Sequence, residues 1–505
     1  MSTEPRPNLL YIHSDQHTPF VTGCYGDPLV ETPHLDRLAI GGVTFDAAYC
    51  TSPICVPSRM SMLTGLHPYQ HQTWTNRHVL HSGIPTFAHA LGAAGYRSVL
   101  AGRMHVRGPD QLHGYSDRLV GDHMPNHLGG PMPEMGILRG TETPVRKTLA
   151  TSSPGQVAYQ LHDEEVTAAA VNFLDQIGRE QRAGLTTEPF SLTVGFMLPH
   201  PPYVPRQAAY EHYRSRVTLP RKPRPIEEEH HPYLRRWRTH TGSETVSEDE
   251  ALNTRAAYWA LVSTVDTMVG QILAALDANG LAENTLVIYT SDHGDMMGEH
   301  GLWWKHVFYE ESVRVPLIMA WPGIITPGLR CDHVVSALDV NATMLDALNA
   351  PALPHSPGRS LLGLVTEQPV GAGRGTTAWV DLAFAEYCED QYSPPGGAYQ
   401  RMVRWDRWKF IDYDDDPPQL FDLTEDPDEL VDRAADPACA SVVAELRARV
   451  RDGWDPAQIR AKMAAMDADN RILEAWANTT QPREQYRWHA RAEMNTLLEQ
   501  QTTTS

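Results

Sequence analysis

The sequence predicts an α/β fold, a large and mostly parallel central sheet flanked by helices, followed by a small antiparallel subdomain. Three observations predict it. Short apolar runs recur between residues 8 and 321, and each closes on a cluster of polar groups, as buried strands of an open parallel sheet do. Stretches with helical spacing separate these runs, the alternation expected of strand–helix–strand units. After about residue 375 the runs shorten and are joined by turns, the pattern of an antiparallel sheet.

Residues 8–15 (NLLYIHSD) read as a buried strand with Asp15 at its C-terminal end, and residues 32–40 as a short helix. Residues 57–64 have helix-compatible spacing, opened by Pro57 and stopped by Gly65. An amphipathic helix over 84–95 closes on Gly95, and a strand over 96–102 delivers Arg103 and His105 at its end. Residues 106–160 are rich in Gly, Pro, His and Met without periodicity, and a loop that long in a compact protein is more often functional than idle. A helix over 162–181 leads to a strand over 190–198, which ends at His200. Residues 204–247 read as loop, and 250–279 as a long helix stopped by Asn279 and Gly280. A strand over 285–290 presents Asp292 and His293, and a further strand spans 315–321. Beyond residue 375, short strands fall at 377–385, 399–405 and 408–413, with 417–422 returning and a helix over 438–451. Residues 470–505 read as a polar tail carrying Trp476, Tyr486 and Trp488, packed on the body or on a second subunit. The division expected is therefore 8–375, 376–470 and 471–505.

The chain has 505 residues, 41% hydrophobic and 21% charged, which is soluble globular composition and too long for one ordinary core. A net charge of −20 argues against nucleic acid or an anionic membrane as the partner. An anionic substrate would need positive charge concentrated locally. The N-terminal residues lack an apolar signal-type region, and no window is read as approaching the length of a membrane span. Six scattered cysteines do not make a disulfide framework, so cytoplasmic residence is the expectation.

The chemistry concentrates in residues 51–65 (TSPICVPSRMSMLTG). Cys55 falls at a helix N-terminus, where free N–H groups and the dipole favour an anion, and Arg59 lies one turn on. Two readings stand at this point: a nucleophile or oxidised side chain beside an anion pocket, or a buried structural cysteine. Asp15, Asp292 and His293 offer oxygen and imidazole ligands that suit a hard or borderline divalent cation. Arg59, Arg103 and Lys305 could hold a tetrahedral oxyanion, and His105 and His200 could transfer protons near neutral pH. Each residue alone has an ordinary structural explanation; one sheet edge gathering all of them is harder to set aside.

Residues 55–65 fit the pattern CxPSRxxxLTG at every fixed position, which resembles the signature of the sulfatases in the alkaline-phosphatase-like superfamily. The resemblance runs from residue 8 to about 425 and includes GCYG at 23–26, GRMH at 102–105, SDHG at 291–294, GLWWK at 301–305 and RVPLI at 314–318. It implies the sandwich fold of that superfamily and oxidation of Cys55 to formylglycine by a formylglycine-generating enzyme. In that chemistry one hydroxyl of the aldehyde hydrate attacks sulfur, and loss of a proton from the other expels sulfate. By matching position, Asp15, Asp292, His293 and the modified Cys55 would hold one divalent cation, calcium by family habit or manganese given the imidazole. Arg59 and His105 would position the hydrate, and Arg103, His200 and Lys305 would hold the sulfate, with His200 or Lys305 protonating the leaving oxygen.

Gln16 stands where many sulfatases have a second aspartate, so no ligand role carries over to it, and His293 stands where many have asparagine. Arg103 replaces a lysine, keeping the charge but not the geometry. These features resemble the choline sulfatase and phosphonate monoesterase branch, as does GPDQLHGY at 108–115. Glu386 is the candidate to meet a cationic headgroup, beside the plain reading of a surface carboxylate. The function expected is hydrolysis of a small-molecule sulfate monoester (alkyl, choline-like or aryl). A phosphonate monoester or phosphodiester hydrolase on the same residues is the alternative. A silent binding protein whose Cys55 stays a thiol, with pairing to Cys50 as one option, is the third reading. The aromatic-bearing tail suggests a homo-oligomer.

Overall fold

The computed structural model describes residues 6–366, 378–389, 393–395 and 397–498. The expected boundary at 375/376 and the last residues of the tail lie outside them. The strands in chain order are β1 (Asn8–Asp15), β2 (Val43–Tyr49), β3 (Arg97–Gly102), β4 (Asp117–Val120), β5 (Gly155–Gln156), β6 (Phe190–Pro199) and β7 (Thr285–Ser291). They continue with β8 (Leu317–Ala320), β9 (Leu329–Ser336), β10 (Leu382–Glu389), β11 (Ala398–Trp405), β12 (Trp408–Tyr413), β13 (Gln419–Asp422) and β14 (Thr496–Leu497).

Eight strands form the main sheet in the order β4-β3-β6-β1-β7-β8-β2-β9. The pairings are parallel except for β8, which runs against both β7 and β2. The mostly parallel sheet is as expected, and β1 lies between β6 and β7 at its centre. Every residue of β1, β6 and β7 is buried. Strands covered on both faces carry apolar runs without alternation, which is why these three are plain in the sequence. β10–β13 form the antiparallel four-stranded sheet, joined to the body where the Glu386 N–H donates to the Thr51 carbonyl at 2.9 Å.

The segment read as loop over 204–247 contains two helices, Gln207–Arg214 and Pro232–Thr241. Their buried faces are built from Tyr210 and Tyr213, and from Tyr233, Leu234 and Trp237, so aromatic rings do the work of an aliphatic stripe. The tail is also different: the helix Pro456–Thr480 runs through residue 470, and the chain beyond it packs on the body. There β14 pairs with β5.

The helix Glu248–Ala278 corrects the expectation on apolar length. It holds an 18-residue window of mean hydropathy 1.4, long and apolar enough to cross a membrane. Most of that window is buried, because the helix packs against Ala158–Arg182, Gln207–Arg214 and β6 as a core helix. Its apolar length serves the interior of the fold.

Candidate active site

The helix carrying the signature starts at Cys55 itself and ends at Thr64, with Ile54 extended before it and Gly65 left-handed (φ 66°) after it. Pro57 sits in the first turn, where no N–H is needed. The Val56 N–H is capped by Asn76 Oδ1 at 2.9 Å, and Ser58 Oγ donates to the Asp292 carbonyl at 2.6 Å. The second bond pins this helix end to the loop after β7. Cys55 is 1% exposed. Cys50 and Cys55 are both free thiols, so the optional pairing between them is not formed.

Asp15, Cys55, Asp292 and His293 each bring one ligand atom to a point, all within 4.8 Å of one another. Donor atoms around a cation at roughly 2.3–2.6 Å stand no more than about 5 Å apart, so the group fits one ion. Two carboxylates with one imidazole suit a hard or borderline divalent cation. The His293 Nε2 lies 3.3 Å from Cys55 Sγ, and Asp15 Oδ1 lies 3.7 Å from it. Lys305 Nζ completes the cluster, 3.1 Å from both Cys55 Sγ and His293 Nε2. Burial, with Lys305 adding to it, drives the His293 imidazole down to about 4, so its ring is neutral and Nε2, which here accepts from Lys305, has the lone pair a ligand role needs.

Arg59 braces the two carboxylates and does not reach toward Cys55. Its Nε donates to Asp292 at 2.8 Å and its Nη2 to Asp15 at 3.0 Å and the Ser14 carbonyl at 3.4 Å. Its Nη1 reaches His13 Nδ1 at 3.0 Å and the Arg103 carbonyl at 3.2 Å. A guanidinium has five N–H donors, and here all five have partners. Arg103 donates to Asp15 Oδ2 at 2.6 Å and to His105 Nδ1 at 3.0 Å. Because a guanidinium can only donate, His105 Nδ1 accepts and the ring proton sits on Nε2. That Nε2 is buried with no hydrogen-bond partner among the described residues, a donor held ready in the site. Burial would raise Asp15, but Arg103, His200, Arg59 and Lys305 outweigh it and hold the carboxyl well below the usual range.

His200 lies at the rim, its Nε2 4.0 Å from Asp15 Oδ1. Its Nδ1 donates to the Pro201 carbonyl at 2.7 Å, which leaves the lone pair of Nε2 facing the site. Burial and then Lys305 lower its pKa, so this tautomer accepts a proton at neutral pH instead of donating one. Gln16 stays out of the ligand group. Its amide accepts from Lys305 Nζ at 2.8 Å and donates to Asp295 at 2.6 Å, and Asp295 also accepts from Tyr203 at 2.6 Å. Gln16 therefore aims Lys305 at Cys55.

Glu386 is not a surface carboxylate. It is buried on β10 beside Arg401 (3.8 Å) with the indoles of Trp74 and Trp454 turned toward it, apart from the Cys55 cluster. Burial, only partly offset by Arg401, raises its pKa from 4.5 to about 7. Between those values the folded chain holds a proton that the unfolded chain releases, so stability falls as pH rises through that window. The loss expected is about 3 kcal/mol at ~1.4 kcal/mol per pKa unit. Glu386→Gln, which mimics the protonated form, is expected to lose much less stability than the parent between pH 5 and pH 8. Equal denaturant-midpoint shifts for the two proteins would contradict this assignment.

Five further residues are drawn into the site that sequence reasoning did not name: His13, Asp122, His123, Tyr159 and Asp295. His13 could have been found, since it shares a face of β1 with Asp15 at strand spacing. Asp122 and His123 come from an aperiodic segment, Tyr159 from the first turn of the helix Ala158–Arg182, and Asp295 from the loop after β7.

A wide, mostly parallel sheet thus collects four possible cation ligands and fixed positive charges near its strand ends, an arrangement suited to a hydrolase acting on tetrahedral oxyanion esters. The phosphonate monoester hydrolase of Agrobacterium radiobacter shares this fold at a TM-score of 0.70 and 24% identity, over 90% of this chain and 96% of that one. The family model for sulfatases matches residues 7–350, and the model for the C-terminal region of N-sulphoglucosamine sulphohydrolase matches 298–454. The chain is 33% identical to the choline-sulfatase of Rhizobium meliloti (strain 1021) over 427 residues, 83% of this chain and 81% of that protein. It is 30% identical to arylsulfatase K of Homo sapiens over 439 residues, 83% of this chain and 77% of that protein. The chain belongs to the sulfatase family and is a sulfuric ester hydrolase.

Proposed function

We propose that the chain hydrolyses the sulfate monoester of a small alcohol, with Cys55 converted to formylglycine and one divalent cation, calcium first, held at Asp15, Asp292, His293 and the modified Cys55. The observation that carries this is the convergence on Cys55 Sγ of His293 (3.3 Å), Lys305 (3.1 Å) and Asp15 (3.7 Å). When present, the hydrated aldehyde and the cation together supply a hydroxyl nucleophile acidic enough to act near neutral pH.

The protein's own groups supply the rest. Lys305, held by Gln16, brings a proton and a positive charge to the sulfate oxygens. His105 Nε2–H is a further donor for the ester, and Arg103 adds its charge while locked to Asp15. His200, with its lone pair inward, receives a proton at the rim, and Lys305 is left to protonate the departing alcohol oxygen. Thus a chain of net charge −20 gathers Arg59, Arg103 and Lys305 around one anion site.

A formylglycine-generating enzyme is the maturation partner in this reading, and a buried Cys55 requires it to act before the chain closes. Six free cysteines support cytoplasmic residence. Protein from its own host tests the proposal through the mass of the Cys55 peptide and through turnover of choline sulfate, an aryl sulfate and an aryl phosphonate. Loss of the thiol sulfur and preference for a sulfate ester are expected. An intact thiol without esterase activity, or clear phosphonate preference, would overturn it.

A further inference from the structure

We infer that Asp122 is a positioning residue of the hydrolytic centre, and that the C-terminal segment 484–488 clamps it in place. The inference rests on the proposed reading of Arg103 and His105 as site residues. Asp122 is buried in the long aperiodic segment after β4, where its two oxygens serve two different groups. Oδ2 accepts from the His105 N–H at 2.9 Å, and Oδ1 accepts from His123 Nδ1 at 2.9 Å. Arg103 Nη1 stands 3.6 Å from Oδ1, so the carboxylate also faces the guanidinium from the side opposite Asp15. The His123 Nδ1 proton goes to the carboxylate, its nearer partner, and so Nε2 accepts from the Tyr159 hydroxyl at 3.0 Å. Tyr159 in turn lies near His200, with ring centroids 6.2 Å apart. One carboxylate thereby sets the backbone of His105, the charge balance of Arg103 and a hydrogen-bonded wall running toward His200.

The segment carrying Asp122 makes its own contacts with the chain's end. The Trp488 N–H donates to the Asp122 carbonyl at 2.9 Å, and Arg487 Nε to the His123 carbonyl at 3.2 Å. Glu484 Oε2 accepts from the Asn126 N–H at 2.6 Å, and the Gln485 carbonyl from Asn126 Nδ2 at 2.9 Å. Gly121 lets the tail lie flat, since a Cβ there would stand 1.2 Å from the Tyr486 carbonyl oxygen. Four main-chain and side-chain bonds across some 360 residues of sequence serve a loop that has little other regular structure, and they fix it where the site needs a rigid partner.

Asp122→Asn is the direct test. The amide has one acceptor oxygen, so either the His105 N–H or the His123 ring loses its partner and meets a donor instead. The expected result is a fall in kcat of roughly 10- to 100-fold, the usual cost of losing an outer orienting partner, with KM changed less than about threefold. Gly121→Ala leaves Asp122 intact but lifts the tail, and the same split is expected; it also serves if Asp122→Asn does not fold. Thermal midpoints and the extent of Cys55 modification are measured for every variant, with His105→Ala in parallel. A kcat within twofold of the parent for Asp122→Asn, while His105→Ala is inactive, overturns the positioning role alone. Full activity in His105→Ala overturns the reading of the centre instead. Loss in Asp122→Asn with an unchanged Gly121→Ala overturns the clamp.

Discussion

Cys55→Ala is expected to abolish sulfate ester hydrolysis, lowering kcat by on the order of 10⁴-fold or more, the scale seen when a nucleophile is removed from a preorganised site. Its stability should change little by comparison. The thiol is small and its neighbours are ligands and cations, so the volume lost is modest and a water can fill it. Cys55→Ser is equally informative, because it keeps a hydroxyl at the meeting point of Asp15, His293 and Lys305 but removes the thiol that a cysteine-directed maturation enzyme would act on, the residue-55 peptide mass verifying that the serine is intact. Both variants should lose turnover together if the oxidised side chain is the working form. Substantial activity in Cys55→Ser would point to a plain hydroxyl nucleophile and defeat the proposal.

Arg59→Ala carries the second large effect, and it falls on stability as well as on rate. Arg59 is fully buried and bonded to Asp15 at 3.0 Å and Asp292 at 2.8 Å. Removing one partner of a buried ion pair costs about 3–5 kcal/mol, because the remaining charge has neither water nor a counter-ion. Here Asp292 loses its guanidinium partner, while Asp15 keeps Arg103 at 2.6 Å. A bound cation would compensate Asp292 in part, so the loss in denaturant midpoint should be larger with a chelator present than with excess calcium. Arg59→Lys should recover only part of the loss, since an ammonium cannot span both carboxylates and the two carbonyls. Equal destabilisation with and without metal would show that Arg59 does not share its carboxylates with an ion.

The sequence displayed the parts of this fold that are buried on both faces. β1, β6 and β7 are unbroken apolar runs, and the groups at their ends were found because a strand end is where an open sheet presents side chains. β2 (VTFDAAY) and β9 (LRCDHVVS) went unread because Asp46, Arg330 and Asp332 interrupt them, and those residues are tolerated toward the sheet's edge. Nothing in LIMA, the sequence of β8, records that this strand runs against its neighbours. The same division holds for the site. Asp15, Asp292 and His293 were legible at strand ends and Cys55 at a helix start. Asp122 and His123 were not, since a tail returning from residue 484 onward holds their segment and leaves no local periodicity, and Tyr159 was not because its hydroxyl joins the site through His123. Arg59 was found for its charge, but which way its guanidinium turned was a matter of three-dimensional packing.

The bond between the Glu386 N–H and the Thr51 carbonyl has a consequence in time. The segment before Cys55 cannot be fastened until residue 386 has left the ribosome, and the central strand β1 lacks its neighbour β7 until residue 291 has done so. At about 5–20 residues per second, the 335 residues between the two bonded groups take roughly 20–60 s to synthesise. For that interval the nascent chain exposes CVPSR as unfolded peptide. On the proposed oxidation of Cys55, that wait is the window in which the maturation enzyme would reach the cysteine.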